Sequence, residues 1–593
     1  MSKYPMTWDL DAIYPGGSDS AAFAKELAGM EAGIAELQGV LADSAVDVKE
    51  RVKKMTALSQ SILLSLRQSE SFIECLTAQN VRDLAAIGLG DRVKNISAKF
   101  FAELTRFDNV LREIDDAAWK ELLQDGALGE LAFNLSERRE LAKLKLAPEL
   151  EALVGDLAID GYHGWGDLYN LIVSGAKFRV EQDGEEKLLS AGQMANRLSD
   201  SDRSVREAAF AEWERVWASV ADLSADALNR IAGFRLKLYE KRGWSSVLQE
   251  PLQINRMSEA TLNAMWSAIE DGKKALVLYL ERKARLLGVE KLDWHDVDAP
   301  IGSATRTVSY DEGAAFITEQ FRAFDPAMAD FAEMAFKDGW IEAEDRAGKR
   351  PGGFCTSFPK SGQTRIFMTY SGTASNISTL AHELGHAYHQ HVMNDLPGFS
   401  QEYAMNVAET ASTFAEMIVS DRAMQAAKDE EEKLGLLEDK IQRSVAFFMN
   451  IHARLLFETR FYERRKQGLV TVSELNELME AAQREAFKDT LGAAHPHFWA
   501  SKLHFYLTDV PFYNFPYTFG YLFSAGLYAR AQQEGPSFAS KYVALLRDTG
   551  RMTVEQLAEK HLGVNLEEQT FWREAVSLTE EDVRLFLEMT ENN

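Results

Sequence analysis

Apolar residues recur at three- and four-residue spacing along most of this chain, the period of a helix with one buried face. That spacing predicts helices over residues 20–42, 50–79, 81–106, 110–124, 135–157, 192–219, 221–241, 258–287, 312–323, 376–392, 403–427, 430–467, 472–489 and 519–533. Strict alternation is rare. Lys177–Gln182 and Lys187–Leu189 flank an Asp183-Gly184 pair, which predicts a hairpin with a tight turn. Thr364–Tyr370 reads as a second extended stretch. The result is a mainly α chain with a small β element. No internal repeat or low-complexity tract interrupts it. A boundary falls near 184–200, between an N-terminal helical part (1–195) and a larger catalytic part (196–593).

Composition narrows the class. Hydrophobic residues make up 46% and charged residues 26%, the proportions of a water-soluble globular protein. The net charge of −26 argues against nucleic acid and against an anionic membrane surface as partners. No apolar run reaches the roughly 18 residues needed to span a bilayer, and Met1–Pro5 lacks a signal-peptide core. Two cysteines, Cys75 and Cys355, make no disulfide framework. The expected location is the reducing cytoplasm. Oligomeric state leaves no readable mark.

The chemistry concentrates in Thr379–Ala387, where His382-Glu383-Leu384-Gly385-His386 lies inside a helical stretch. On a helix, His382 and His386 stack one turn apart on one face. Two imidazoles can then reach one Zn2+, with Glu383 beside them to activate water. Gly385 costs a helix interior about 1 kcal/mol relative to Ala, so another element is expected to approach closely there. A catalytic zinc takes a third protein ligand and keeps one position open. His389, His391, Glu402 and Glu409 follow in sequence. A metzincin would carry Gly and His where this chain has His389 and Val392. Glu409 lies in a following helix among small and apolar residues, where a carboxylate needs a partner or a cation. Glu416 is two turns further along the same face.

Together these motifs resemble the M3-family zinc peptidases of the oligoendopeptidase F group, relatives of thimet oligopeptidase and neurolysin. The resemblance rests on His382–His386, on Glu409-Thr410-Ala411-Ser412 and on the aromatic cluster near Tyr513. Trp8–Pro15 and Gly348–Phe354 add to it, and it runs nearly the whole length. It implies a large helical ellipsoid with a deep substrate channel and a zincin-type HExxH active site. It also implies one Zn2+ per chain on His382, His386 and Glu409, with Glu383 as general base. The partners would be short unfolded peptides, cleaved internally. From the donor-rich segment His504–Tyr521, the resemblance implies that His504, Tyr513 and Tyr517 stabilise the oxyanion, with Tyr521 as a further candidate.

Three further expectations concern substrate and class. Ile366–Tyr370 could offer a strand edge to an extended peptide. Gly352 and Gly353 could let a substrate backbone approach. A zinc carboxypeptidase or dipeptidyl carboxypeptidase of similar fold would need a cation for the substrate C-terminus, and Lys349 or Arg350 could supply it. A non-catalytic helical peptide-binding protein is the remaining alternative.

Overall fold

The computed structural model describes residues 3–182, 184–301 and 307–591. Helices dominate it, and its strands form one two-stranded and one three-stranded sheet. The chain divides into two compact units, each assembled from three stretches. The first takes Met1–Pro148, Thr305–Arg422 and Arg530–Gly563; the second takes Glu149–Ala304, Ala423–Ala529 and Val564–Asn593.

In the first unit, helices Ala21–Ala42, Val48–Gln79 and Leu84–Glu113 pack on one another. Each starts at a residue whose side chain accepts from the first turn: Ser20, Asp47 and Asp83. Their shared core holds Phe23, Leu27, Phe72, Phe100 and Phe107. The opening segment joins this core. The Trp8 ring lies against Phe354 and Phe367, and Tyr14 lies against Phe23 and Phe72. The buried Arg365 guanidinium donates to Asp9 O from Nε (3.0 Å) and Nη2 (2.6 Å). The N-terminal motif therefore braces the sheet that precedes the histidine helix.

That sheet narrows one expectation. Gln363–Phe367 is its central strand, parallel to Ile341–Glu342 and antiparallel to Phe354–Phe358. Pairing continues beyond the strand, from Met368 N to Glu342 O and from Tyr370 N to Ala343 O. Ile366 and Phe367 are thus paired on both sides and offer no free edge, while Met368–Tyr370 are bonded on the Glu342–Ala343 side. The outer strand on the antiparallel side is Phe354–Phe358, a pairing the periodicity of a five-residue segment does not announce.

In the second unit, the 40-residue helix Arg203–Arg242 runs unbroken where the spacing suggested two helices. No Gly or Pro interrupts it near residue 220, and it ends at Gly243 in a left-handed conformation (φ 74°). Conversely, the helix expected over 135–157 is split, because Pro148 starts a new helix, Pro148–Ala158. Phe178–Gln182 pairs with Glu185–Leu189 as expected; Asp183 of the turn lies outside the described residues. Helices Pro326–Lys337, Phe538–Asp548, Val554–Leu562 and Gln569–Met589 were not foreseen. No helix among the described residues is long and apolar enough to cross a membrane.

Candidate active site

The histidine helix spans Ala374–Met393. Thr373 caps it by accepting from Asn376 N, a contact worth about 1 kcal/mol at a helix start. The glutamate helix spans Met405–Gln425 in the same unit. The two meet at Gly385, where a Cβ would stand 2.5 Å from Ala411 O and 2.6 Å from Ser412 Cα. Only a residue without a side chain admits this approach.

The approach brings Glu409 onto both imidazoles. Glu409 Oε2 lies 3.2 Å from His382 Nε2 and 3.5 Å from His386 Nε2. One ligand atom from each of the three residues falls within 4.8 Å of the others. Ser412 Oγ donates to Glu409 Oε2 at 3.0 Å and steadies that carboxylate. On the far side of the first imidazole, Glu416 Oε2 lies 3.3 Å from His382 Nδ1. His382 is therefore held between two carboxylates, its Nε2 turned to the shared point.

Electrostatics follow from this packing. Burial alone would lower His382, but Glu409 and Glu416 overcome it and raise the imidazole to about 10. Burial lowers His386 to about 4. Glu409 is held at about 2 against burial by its contacts with His382, His386 and Ser412. Glu383 is 7% exposed, and burial pushes its carboxyl up to about 7. Glu409 contacts both imidazoles, Glu416 contacts one, and the Glu383 carboxyl is near enough to feel their charge, an excess of negative charge that suits a divalent cation. Two nitrogens and one carboxylate are also the donors that catalytic zinc takes while keeping a position open. The residues present fit the ion.

The other histidines of this stretch are engaged elsewhere. His389 is buried, with Nε2 2.9 Å from Thr549 Oγ1, and its ring stacks on Tyr403. The His391 ring packs on Phe331. Spacing had left Glu383 with no named neighbour beyond the imidazoles. In the structure Gly353 lies beside it, since a Cβ there would stand 3.7 Å from Glu383 Oε1 and 3.2 Å from Phe367 O. The Gly-Gly pair before strand Phe354–Phe358 reads in the sequence as room for a substrate backbone; what the structure places beside Gly353 is the Glu383 side chain.

Lys349 is tied into the sheet, whereas the Arg350 side chain is 42% exposed and forms a weak surface ion pair. Lys349 Nζ donates to Glu344 O and Met368 O and pairs with Glu342, while Arg350 pairs with Glu74.

The second unit groups the remaining candidates. The ring of His504 lies 5.0 Å from that of Tyr513, and Tyr517 donates its hydroxyl proton to Tyr513 Oη at 3.0 Å. Sequence reading missed the two residues that hold this group. Arg454 Nη1 donates to Asn514 Oδ1 at 2.8 Å, and the same oxygen lies 2.7 Å from His504 Nδ1. Just before Tyr513, Phe512 adopts φ 53°, a left-handed strain that bulky residues rarely carry outside functional turns. Tyr521 differs. Its hydroxyl meets Ser444 Oγ at 2.9 Å and its ring stacks on Phe447, so it belongs to the packing.

A helical body with a carboxylate-bearing helix pressed onto a His-Glu-x-x-His helix defines the class of helical metallopeptidases. Comparison with known proteins narrows this further. The sequence model of peptidase family M3 matches residues 197–576, and a second, described as oligopeptidase F, matches residues 111–178. The chain belongs to peptidase family M3, in which zinc is the implied metal. It is 22% identical to an oligoendopeptidase F homolog of Lactococcus lactis subsp. lactis, over 97% of this chain and 96% of the relative. Among solved structures, a Chlamydophila abortus protein crystallised as a candidate peptidase superposes with a TM-score of 0.85 at 17% identity, covering 98% of both chains. Oligoendopeptidase-F from Enterococcus faecium gives a TM-score of 0.73 at 17% identity, covering 97% of this chain and all of the other.

Proposed function

We propose that this protein is a zinc-dependent oligoendopeptidase that hydrolyses short unfolded peptides, with one Zn2+ per chain held by His382, His386 and Glu409. The observation that carries the reading is the convergence of Glu409 Oε2 on both imidazole Nε2 atoms across the Gly385 contact. Bound there, the ion supplies Lewis acidity towards the peptide carbonyl and towards the attacking water.

The chain's own residues do the rest. Glu383 accepts a proton from the attacking water at its carboxylate and passes it to the departing amine. Glu416 holds His382 by Nδ1, which keeps Nε2 free to act as a ligand. His504, Tyr513 and Tyr517 donate to the oxyanion that forms as the carbonyl is attacked. A neutral phenol suits that task because it donates without competing for the metal.

The acidic composition and the two free cysteines support a cytoplasmic location without nucleic-acid or membrane partners. A division at residue 195 is supported by the two family matches, which fall on either side of it.

The test is digestion of a peptide-length ladder, with free and amidated C-termini, followed by mass spectrometry with and without chelator. Internal cuts in both series, abolished by chelator and restored by zinc, are expected. Release of C-terminal residues from the free acids alone would establish carboxypeptidase action instead.

A further inference from the structure

The second unit contains a cavity of about 320 Å³ that the reaction above does not use. Its walls carry six aromatic residues, Phe210, Trp213, Trp217, Trp294, Phe487 and Phe498, beside polar groups that include Asp298, Asn450, Ser501 and Lys502. A volume of this size is at the lower end of small-ligand sites. Aromatic walls alone would make it an ordinary packing defect.

Its polar groups distinguish it. Lys502 lines the cavity with its Nζ 5.1 Å from the centre of the Phe498 ring. Among the described residues it forms no ion pair, in a chain with 91 acidic side chains and a net charge of −26. Burial and the neighbouring Arg454 charge together lower this ammonium to about 8, against the pull of Asp298. Arg454 also rests on Phe498, at 5.2 Å, and donates to Asn450 and Asn514; among the described residues it forms no ion pair, though Glu458 is near enough to feel its charge. Two cations rest on one ring, and the carboxylate whose charge reaches both, the exposed Asp298 of the same cavity, forms an ion pair with neither among the described residues.

Two further wall residues carry buried polar atoms with no hydrogen-bond partner. Trp217 is 1% exposed and its Nε1 has no hydrogen-bond partner; His295 is 7% exposed, with no hydrogen bond at either ring nitrogen and Nε2 3.6 Å from Asp296 Oδ1, and all three atoms are sealed behind the cavity wall. A buried donor left unpaired costs about 1–3 kcal/mol, so native proteins leave few without reason. Nearby Asp293 and Asp296 supply no vacant acidic site, because Arg203 and Arg206 already bind them. The cavity thus pairs aromatic walls with an ammonium that forms no ion pair among the described residues. Ala195 and Ser199, both exposed, stand at its mouth.

We infer that this cavity binds the carboxylate of an aromatic amino-acid residue, its ring enclosed by the tryptophans and its carboxylate on Lys502. Peptide hydrolysis creates such carboxylates as new C-termini, so the ligand's origin as a product rests on the peptidase reading. The pocket chemistry does not.

Isothermal titration calorimetry on the zinc-loaded full chain tests this, with N-acetyl-L-phenylalanine, L-phenylalanine and N-acetyl-L-phenylalaninamide as probes. The acetylated acid is expected to bind saturably, and its amide at least about tenfold more weakly. Stronger binding of the acetylated acid than of free phenylalanine assigns the site to peptide ends; the reverse assigns it to free amino acids. Lys502→Met should weaken the acid at least about tenfold. Ala195→Trp, which blocks the mouth and keeps the lysine, should abolish binding even if Lys502→Met fails to fold. No saturation up to about 10 mM, equal binding of acid and amide, or wild-type affinity in Ala195→Trp would overturn the inference. Chelator-resistant peptide cleavage would overturn the peptidase reading and leave these titrations untouched.

Discussion

Gly385 and Ala411 touch backbone to backbone: a Cβ at 385 would stand 2.5 Å from the Ala411 carbonyl oxygen. This single contact fixes how closely the glutamate helix approaches the histidine helix. It also accounts for a glycine in the middle of a 20-residue helix, where it costs local stability. Gly385→Ala should force the helices apart, destabilise the fold by about 1–3 kcal/mol and lower zinc occupancy. Thermal unfolding and metal analysis after dialysis would show both. A variant with full zinc content and unchanged melting temperature would remove Gly385 from the argument.

Glu383 and Glu409 should separate cleanly by substitution. Glu383→Gln is expected to retain zinc and lose about 100- to 10,000-fold in kcat. Glu409→Ala is expected to lose zinc first and activity as a consequence. Metal content per chain and cleavage of a quenched peptide, measured on the same samples, distinguish the two roles.

Glu416 reaches His382 from the side away from Glu409, at 3.3 Å from Nδ1. Glu416→Gln should therefore weaken zinc affinity by about 10- to 100-fold while leaving saturated enzyme active. Competition against a calibrated chelator gives the affinity, and assays at excess zinc give the activity.

Tyr513 and Tyr517 share a hydroxyl–hydroxyl bond of 3.0 Å. If they donate to the oxyanion, Tyr513→Phe or Tyr517→Phe should cost about 100- to 1000-fold in kcat with zinc content unchanged. A loss confined to KM would mean that the phenols bind substrate and do not serve the transition state.

Glu458 gives a pH dependence unrelated to the metal site. It is 5% exposed, and burial raises its carboxyl to about 8 despite Arg235, Asn514 and Arg454 nearby. Between the ordinary glutamate value near 4.5 and about 8, the folded chain holds a proton that the unfolded chain releases. This group's contribution to stability is thus present below about 4.5 and is lost as pH rises through about 8. Glu458→Gln should match the wild type near pH 5 and exceed it near pH 8 by on the order of 2 kcal/mol or more. Urea melts at the two pH values measure the difference.

Local pattern by itself determined the helical character of the chain, the hairpin around residue 184 and the His-Glu-x-x-His turn. Each depends on residues three or four positions apart, or on adjacent strands joined by a tight turn. Glu409 was legible for a related reason, as a carboxylate out of place in an apolar helix. What tertiary structure alone decided was pairing at long range. Gln363–Phe367 became a central strand because Ile341–Glu342 and Phe354–Phe358 closed on both its edges. Lys349 was tied to Glu342 and two carbonyls, and Arg350 paired at the surface with Glu74. Arg454, an unremarked helical arginine, came to hold Asn514 beside His504. Helical period records which face of a segment avoids water. It does not record which distant segment will cover that face, because that choice is made by the competition among all the faces that must be buried together.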